Sequence, residues 1–472
     1  MKKISTSTLL LFLFLSIYSY SQNHSIITNS EGSEYIIEKY DADHPEITTQ
    51  EYGLIDKRCA ENINRLGLDK TEKSTTTVSL EWPVQAAAGF NDCGYYGISA
   101  HVDQNTTSGV YQDYNCGTVS YDGHKGTDIF SWPFSFYKMD NNQVEIIAAA
   151  AGTIIDKDDG NFDRNCATNS LPANYVIIQH ADGSCALYWH MKSGSVTTKA
   201  IGQTVVVGEY LGVIGSSGSS TGPHLHFEIW TGATSATYND PFSGTCNIIN
   251  GNSWWASQKP YAEAAILKTS VHTTDIVFPG CPTTETPNES TSYTIPFQGP
   301  GLSPGYAKFY IFLKNAPAGT VANLKILNPG GSVFNSWNIT ISTLYGVSYW
   351  GSSKLLPTTA GTYTFQAIYN GVTCEQNFDI VTTTGVATIA DSQQILIYPN
   401  PSNGEFTVDM ANGISTSGNP ILEIYNVLGE KVSLFLLTTP KSEINPDLPS
   451  GIYFYKINDI NRIISSGNIA IK

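Results

Sequence analysis

The sequence is poor in positive charge, in closely spaced cysteine pairs and in long apolar runs. It carries 25 basic residues against 41 acidic ones, a net charge of -16. This balance argues against nucleic-acid binding, which needs a basic face. No C-x-x-C spacing occurs, which argues against a zinc cluster built from cysteines. Beyond the amino terminus no apolar run approaches the ~20 residues of a membrane helix. We therefore expect a mature chain that is soluble or attached to a surface.

The composition favours an exported, β-rich protein of two to four domains. Charged residues make up only 14% of the 472 residues, while Gly (41) and Tyr (27) are plentiful. Such usage is typical of β-sheet proteins with many turns. Residues 1–21 combine Lys2-Lys3, an apolar run and a polar end, which predicts a secretory signal peptide.

The chain has eight cysteines, and an even number in an exported protein favours disulfides. Closeness in sequence suggests the pairs Cys93–Cys116 and Cys166–Cys185. A third pair, Cys281–Cys374, would bracket a predicted β-sandwich. The sequence does not fix the connectivity.

Composition and strand spacing divide the chain into segments. A helix is predicted over Ile47–Leu66, and short strands with Gly-rich turns dominate the rest. We expect a mainly β protein: an antiparallel β-sheet domain, an immunoglobulin-like β-sandwich and a small terminal β-sandwich. The expected boundaries are 1–21 for the signal peptide, 22–80 for an N-terminal extension or pro-segment, 81–250 for the antiparallel β-sheet domain, 251–282 for a connector, 283–383 for the immunoglobulin-like sandwich, 384–396 for a linker and 397–472 for the terminal domain.

Two histidines two residues apart mark the most informative stretch, Gly212–Trp230. Side chains at i and i+2 of a strand share one face. His224 and His226 would therefore point the same way, as two metal ligands or as one ligand and one catalytic base. Upstream, His124 and Asp128 would share a face of an extended segment. Two imidazoles and a carboxylate make three ligands, which leaves a fourth position open, as in a catalytic zinc site.

The stretches GHKGTD, YWHM (Tyr188–Met191) and SSGSSTGPHLHFE together resemble the lysostaphin-like (LytM/LasA-type) zinc metallopeptidases, which cut peptide bonds in bacterial cell walls. The resemblance covers roughly residues 82–242. It implies an antiparallel sheet with zinc in a groove. Transferred onto this sequence, it makes His124, Asp128 and His226 the Zn²⁺ ligands and His190 and His224 the catalytic histidines.

Three further features carry expectations of their own. Strand alternation predicts that His190 shares its face with Tyr188, with Trp189 on the opposite face. Glu228 is either a partner that orients a ligand histidine or a solvated strand carboxylate. Residues 22–80 are either a pro-segment that covers the site or an extension that packs on the catalytic domain.

The end of the chain resembles the C-terminal sorting domain of the type IX secretion system. The resemblance lies in Tyr398-Pro399-Asn400-Pro401, in a late Ser450-Gly451-Ile452-Tyr453 and in the terminal lysine. It implies export through the periplasm and across the outer membrane, to the cell surface or the medium. It also implies the type IX machinery as a partner.

Three functions are compatible with these patterns. The first is a secreted zinc metalloendopeptidase that hydrolyses peptidoglycan cross-bridges or stem peptides. The second is a secreted protease of Gly-rich proteins. The third is an inactive module that binds cell walls, which the presence of all five site residues disfavours.

Overall fold

A computed structural model describes residues 32–34, 46–278, 285–382, 395–410, 420–459 and 462–472. The expected signal peptide and almost all of the expected linker lie outside these ranges. The described chain is mainly β, as predicted. In the part of the chain that the structure describes, no helix has the length and apolar character to cross a membrane.

The amino-terminal region contributes one short strand and one long helix. Strand β1 is Gly32–Glu34 and helix α1 is Thr49–Leu66. Thr48 and Glu51 form a reciprocal capping box at the start of α1, and Gly67 ends it in the left-handed conformation, with φ 69°. Its buried face consists of Ile55, Cys59 and Ile63. The predicted helix is confirmed.

The next domain is built around an eight-stranded antiparallel sheet. In this sheet the order is β3-β4-β11-β8-β7-β6-β9, with β12 paired to β11, and a second sheet has the order β10-β5-β2. The elements are β2 Val84–Ala86, β3 Tyr96–Ala100, β4 Thr127–Ser131, α2 Ser135–Asp140, β5 Val144–Ile147, β6 Gly152–Asp158, β7 Tyr175–Gln179, β8 Cys185–Trp189, β9 Thr204–Val205, β10 Tyr210–Val213, β11 His224–Trp230, a 3-10 helix Ser235–Thr237 and β12 Tyr238–Asn239.

The two faces of the large sheet pack against different partners. Tyr188 and Phe227 belong to a core shared with the three-stranded sheet. On the opposite face, Leu187, Trp189 and Trp230 belong to a core shared with α1. Successive side chains of β8 and β11 point to opposite faces of the sheet. Helix α1 therefore covers the face opposite the first core.

A β-sandwich follows, with its core between a four-stranded sheet of order β1-β18-β15-β13 and a five-stranded sheet of order β14-β20-β19-β16-β17. The strands are β13 Ala265–His272, β14 Ser292–Ile295, β15 Tyr306–Ala316, β16 Val321–Leu327, β17 Val333–Thr340, β18 Tyr345–Leu355, β19 Gly361–Tyr369 and β20 Val372–Thr382. The sandwich starts earlier than expected, because β13 lies inside the range 251–282 that we assigned to a connector. Its pairing with β15 makes it part of the sandwich.

The sandwich and the preceding domain form one compact unit that extends to Thr383. Their interface is aromatic. Trp132 and Phe134 of the first domain pack against Phe278 and Phe312, with Tyr349 beside them.

The disulfides differ from those suggested by closeness in sequence. Cys93 pairs with Cys374, which links the first domain to the sandwich across 281 residues of chain. Cys116 pairs with Cys246 across 130 residues. Cys185 is a free buried thiol, so the suggested Cys166–Cys185 pair is wrong, as are Cys93–Cys116 and Cys281–Cys374. The folded topology, not distance along the chain, decides which thiols meet.

Residues 384–472 form a separate compact unit of two small sheets. One has the order β21-β22-β25 and the other β24-β23-β26-β27, around a shared apolar core. The strands are β21 Ile395–Tyr398, β22 Phe406–Met410, β23 Ile421–Tyr425, β24 Lys431–Leu436, β25 Lys441–Ile444, β26 Gly451–Asp459 and β27 Arg462–Ile471.

The Cys93–Cys374 bridge gives a first prediction. Because it closes a very long loop, replacing both cysteines by serine should lower the free energy of unfolding by about 2–5 kcal/mol. Thermal and denaturant unfolding of the double variant measure this loss. Serine replacement of Cys116 and Cys246 is the matched control for a bridge inside one domain. An unchanged unfolding midpoint in the Cys93/Cys374 variant would contradict the prediction.

Candidate metal centre

Strand pairing brings the predicted ligands together. β4 and β11 are antiparallel neighbours, and His226 lies directly opposite Asp128. His124 stands in the turn just before β4. The Asp128 Oδ1 atom lies 3.1 Å from His124 Nε2 and 2.9 Å from His226 Nδ1, and these two nitrogens are 3.1 Å apart. All three side chains are almost completely buried.

Glycine makes this approach possible on one side. A Cβ at Gly126 would lie 2.7 Å from His226 Cε1 and 2.9 Å from the carbonyl oxygen of Phe227. A side chain there would push the His226 ring away from Asp128. Gly126 of the GHKGTD stretch therefore allows the His226 ring to lie close to Asp128.

Hydrogen bonds fix the orientation of both ligand imidazoles. His124 Nδ1 lies 2.8 Å from the His101 carbonyl oxygen, which can only accept, so Nδ1 carries the proton. His226 Nε2 lies 2.8 Å from Glu228 Oε1 and donates to it in the same way. The unprotonated His124 Nε2 and His226 Nδ1 thus both face the Asp128 carboxylate.

This arrangement fits a metal cation. Two nitrogen lone pairs and a carboxylate repel one another unless a positive charge lies between them. Asp128 Oδ2 is buried and has no hydrogen-bond partner among the described residues. Two imidazoles and one carboxylate are ligands that suit a divalent transition metal. The residues therefore fit a metal centre.

The two predicted catalytic histidines lie beside the ligands. His224 follows the expected alternation and shares the face of His226 on β11. His190 comes directly after β8 and has φ 66°. This left-handed conformation turns its side chain onto the same face as Trp189, so the predicted pairing of His190 with Tyr188 on one face is wrong. The rings of His190 and His224 are 4.5 Å apart.

Backbone carbonyls hold these rings in place. His190 Nδ1 donates to the Ser217 carbonyl at 2.5 Å, and His224 Nδ1 donates to that of Gly222 at 2.8 Å. Both Nε2 atoms consequently point toward the metal centre. The Gly- and Ser-rich loop before β11 thus supplies the acceptors that orient both histidines.

Glu228 is the carboxylate that orients His226. It accepts hydrogen bonds from His226 Nε2, from the Tyr52 hydroxyl of α1 and from Trp230 Nε1 at 2.6 Å. Burial by itself raises the pKa of Glu228, but His226 and these hydrogen bonds outweigh burial and lower it. Glu228 is therefore ionised, and it is not a solvated strand carboxylate.

Glu46 is the one carboxylate of the site that sequence reasoning missed. Its Oε2 lies 2.5 Å from His226 Nδ1 and 3.5 Å from His190 Nε2, and its Oε1 lies 3.1 Å from His224 Nε2. Glu46 is only 3% exposed. It stands in a polar segment with no motif, so the sequence contains no signal for its position.

Comparison with known proteins identifies two parts of the chain. Residues 122–239 match peptidase family M23, and residues 396–472 match the secretion system C-terminal sorting domain. The chain contains a peptidase family M23 domain. The predicted resemblances are thereby confirmed. The sorting domain marks the chain for export across the outer membrane, to the cell surface or the medium.

Curated relatives match this chain over short stretches. The DD-carboxypeptidase/endopeptidase Mpg of Neisseria meningitidis serogroup B is 49% identical over 55 residues, which are 12% of each protein. The peptidoglycan DD-endopeptidase ShyC of Vibrio cholerae is 38% identical over 60 residues, 13% of each. The chain thus spans about an eighth of the length of these relatives.

Among solved structures, the catalytic domain of the antimicrobial peptidase lysostaphin from Staphylococcus simulans is similar at 23% identity. The match covers 33% of this chain and 96% of that one, with a TM-score of 0.20. The M23 assignment rests on residues 122–239, not on this likeness.

The role of Glu228 gives the second prediction. Replacing it by alanine removes the acceptor that fixes the His226 ring, so metal affinity should fall about 10- to 100-fold. Replacement by glutamine keeps an oxygen acceptor and should cost clearly less. Competition with a chromogenic chelator measures both affinities. Equal affinity in the alanine variant and the wild type would show that Glu228 does not support the ligand.

Proposed function

We propose that the chain is a secreted zinc metalloendopeptidase that hydrolyses peptide bonds in peptidoglycan cross-bridges or stem peptides. The observation that carries the proposal is the convergence of His124, Asp128 and His226 inside the M23 domain, with His190 and His224 beside them. Three nitrogen and oxygen ligands with an open fourth position are typical of catalytic zinc.

His124 Nε2, Asp128 and His226 Nδ1 would hold the zinc ion. When bound, zinc supplies a Lewis acid that polarises the scissile carbonyl and lowers the pKa of a water molecule. The surrounding residues keep the ligands in register. Glu228 and the His101 carbonyl group fix the rings of His226 and His124, so no ligand has to reorganise when a substrate enters.

His190 and His224 act on protons. Each Nδ1–H is tied to a backbone carbonyl, so each Nε2 is presented to the space beside the metal ligands. From there an imidazole can take a proton from the attacking water, donate a hydrogen bond to the developing oxyanion and return a proton to the leaving amine. Between them, His190 and His224 carry out these proton transfers.

Two findings support the proposed substrate class, the names of the relatives and the presence of the sorting domain. Two of the curated relatives are named as peptidoglycan DD-endopeptidases or DD-carboxypeptidase/endopeptidases. The sorting domain takes the chain to where it meets cell walls, and the type IX machinery is the partner we propose for that export. A divergent M23 site that had become a binding module would not need five converged site residues.

The test is mass spectrometry of products after the zinc-loaded chain has met purified peptidoglycan. Elastin, a Gly-rich protein, is the parallel substrate, and a chelator is the control. The full chain and a chain cut in the exposed segment 69–77 are both assayed. We expect chelator-sensitive release of muropeptides whose masses locate the cut bond. Cleavage of elastin alone would move the substrate class to Gly-rich proteins, and cleavage of neither would contradict the proposed activity.

The histidine roles give the third prediction. His190→Ala and His224→Ala should each keep one zinc ion per chain and lose roughly 10²- to 10⁴-fold in turnover, because general acid–base groups contribute about that much. His226→Ala should lose the metal itself. Elemental analysis beside the muropeptide assay separates the two outcomes. Loss of zinc in the His190 or His224 variant would assign that residue to the ligand set instead.

A further inference from the structure

One of the two proposed proton-transfer histidines has an unusual backbone. His190 has φ 66°, in the left-handed region that residues with a Cβ seldom adopt. With the extended backbone of β8, its ring would lie on the face of Tyr188, which belongs to the core opposite helix α1. The position of His190 Nε2 beside the proposed metal ligands therefore depends on the groups that hold this backbone turned.

The residue that follows His190 is hydrogen-bonded through both of its backbone polar groups. The Met191 N–H donates to the Asn174 carbonyl oxygen at 2.9 Å. The Met191 carbonyl oxygen accepts from Asn174 Nδ2 at 3.0 Å and from the Ser217 hydroxyl at 2.9 Å. Rotation of the backbone at His190 would break these three hydrogen bonds.

Asn174 and Ser217 are also joined to each other and to the His190 ring. The backbone N–H of Asn174 donates to the Ser217 hydroxyl at 2.8 Å, and the Ser217 carbonyl oxygen accepts from His190 Nδ1 at 2.5 Å. Ser217 therefore holds Met191 with its side chain and the His190 ring with its backbone. We call Asn174 and Ser217, with these hydrogen bonds, the His190 clamp.

The connection between β6 and β7 fixes the orientation of the Asn174 side chain. Asn174 Oδ1 accepts from the backbone N–H of Asn161 at 2.8 Å, and Asn174 Nδ2 donates to the Asn161 carbonyl oxygen at 3.0 Å. Because Oδ1 faces a donor, the amide nitrogen must face the two carbonyl oxygens of Asn161 and Met191. The Asn174 amide thus has both of its protons and its oxygen in use.

Burial and close packing make the His190 clamp rigid. Asn174, Ser217 and Met191 are 0% exposed, so water cannot replace a hydrogen bond that one of them loses. The loop that carries Ser217 also lies very close to Met191. A Cβ at Gly215 would be only 2.6 Å from the Met191 carbonyl carbon, so the loop needs a glycine there.

We propose that Asn174 and Ser217 are positioning residues for proton transfer: they hold the His190 backbone in the left-handed conformation and so keep its Nε2 atom beside the metal centre. They act through His190 and not on the substrate. A displacement of about 1 Å in such a group can cost about 10²-fold in rate. The inference rests on the proposed function for the catalytic role of His190, but the clamp itself can be tested without a substrate.

The first experiment measures muropeptide release by the zinc-loaded full chain. In Asn174→Ala, kcat should fall roughly 10- to 100-fold with KM nearly unchanged, because the ring is misplaced in the transition state. Zinc content should stay at one ion per chain, since the clamp contains none of the proposed ligands. Asn169→Ala is the matched control and should keep wild-type turnover. Asn169 Nδ2 also donates to two carbonyl oxygens, those of Ala167 and Gly218, but not to that of Met191.

The second experiment needs no substrate and uses the zinc-loaded chain with ¹⁵N-labelled histidines. A hydrogen-bonded ring N–H exchanges slowly with water and therefore gives a resolved NMR signal. The His190 Nδ1–H signal, assigned by its absence in His190→Ala, should be present in the wild type and in Asn169→Ala. It should be lost in Asn174→Ala. A role in stability alone would lower the unfolding midpoint without removing this signal.

The outcomes separate the clamp from the proposed function. The clamp proposal is wrong if Asn174→Ala keeps the His190 signal, or if Asn169→Ala loses as much turnover as Asn174→Ala does. If Asn174→Ala does not fold, Ser217→Ala decides, because it removes one hydroxyl group only, and an unchanged His190 signal in that variant would overturn the proposal. If Asn174→Ala alone loses the signal but no form of the chain cleaves peptidoglycan or elastin, the clamp stands and the proposed function fails.

Discussion

The antiparallel pairing of β4 with β11 is the constraint on which the site depends. It sets His226 opposite Asp128, and a one-residue slip would turn one of them to the other face of the sheet. The ligand distances, the Glu228 contact and the approach past Gly126 all follow from this register. The rest of the domain maintains this register, because a hydrophobic core packs against each face of the sheet and β8 pairs with the other edge of β11.

The side chains that this register brings together are buried, and their burial affects the chemistry of the site. The atoms that we propose as metal ligands and the two other histidines are buried, so unpaired lone pairs there are costly unless a cation is present. The Glu46 carboxylate is also buried and lies against His224 and His226, so it belongs to the same cluster of charged and polar groups.

The sequence predicted the parts of the site that depend on local spacing. The i, i+2 rule placed His224 and His226 on one face, and the amphipathic spacing of Ile55, Cys59 and Ile63 predicted α1. The sequence did not predict the features that depend on tertiary structure. The left-handed backbone of His190 breaks the alternation that strand rules assume. The docking of α1 that carries Glu46 into the site is not encoded in any short pattern, nor is the meeting of Cys93 with Cys374.

An anomalous diffraction map from crystals of the zinc-loaded full chain, recorded at the zinc absorption edge, tests the account most directly. The account predicts one strong peak about 2.0–2.2 Å from His124 Nε2, an Asp128 oxygen and His226 Nδ1. A peak held by other residues, or no peak at these three, would contradict the account.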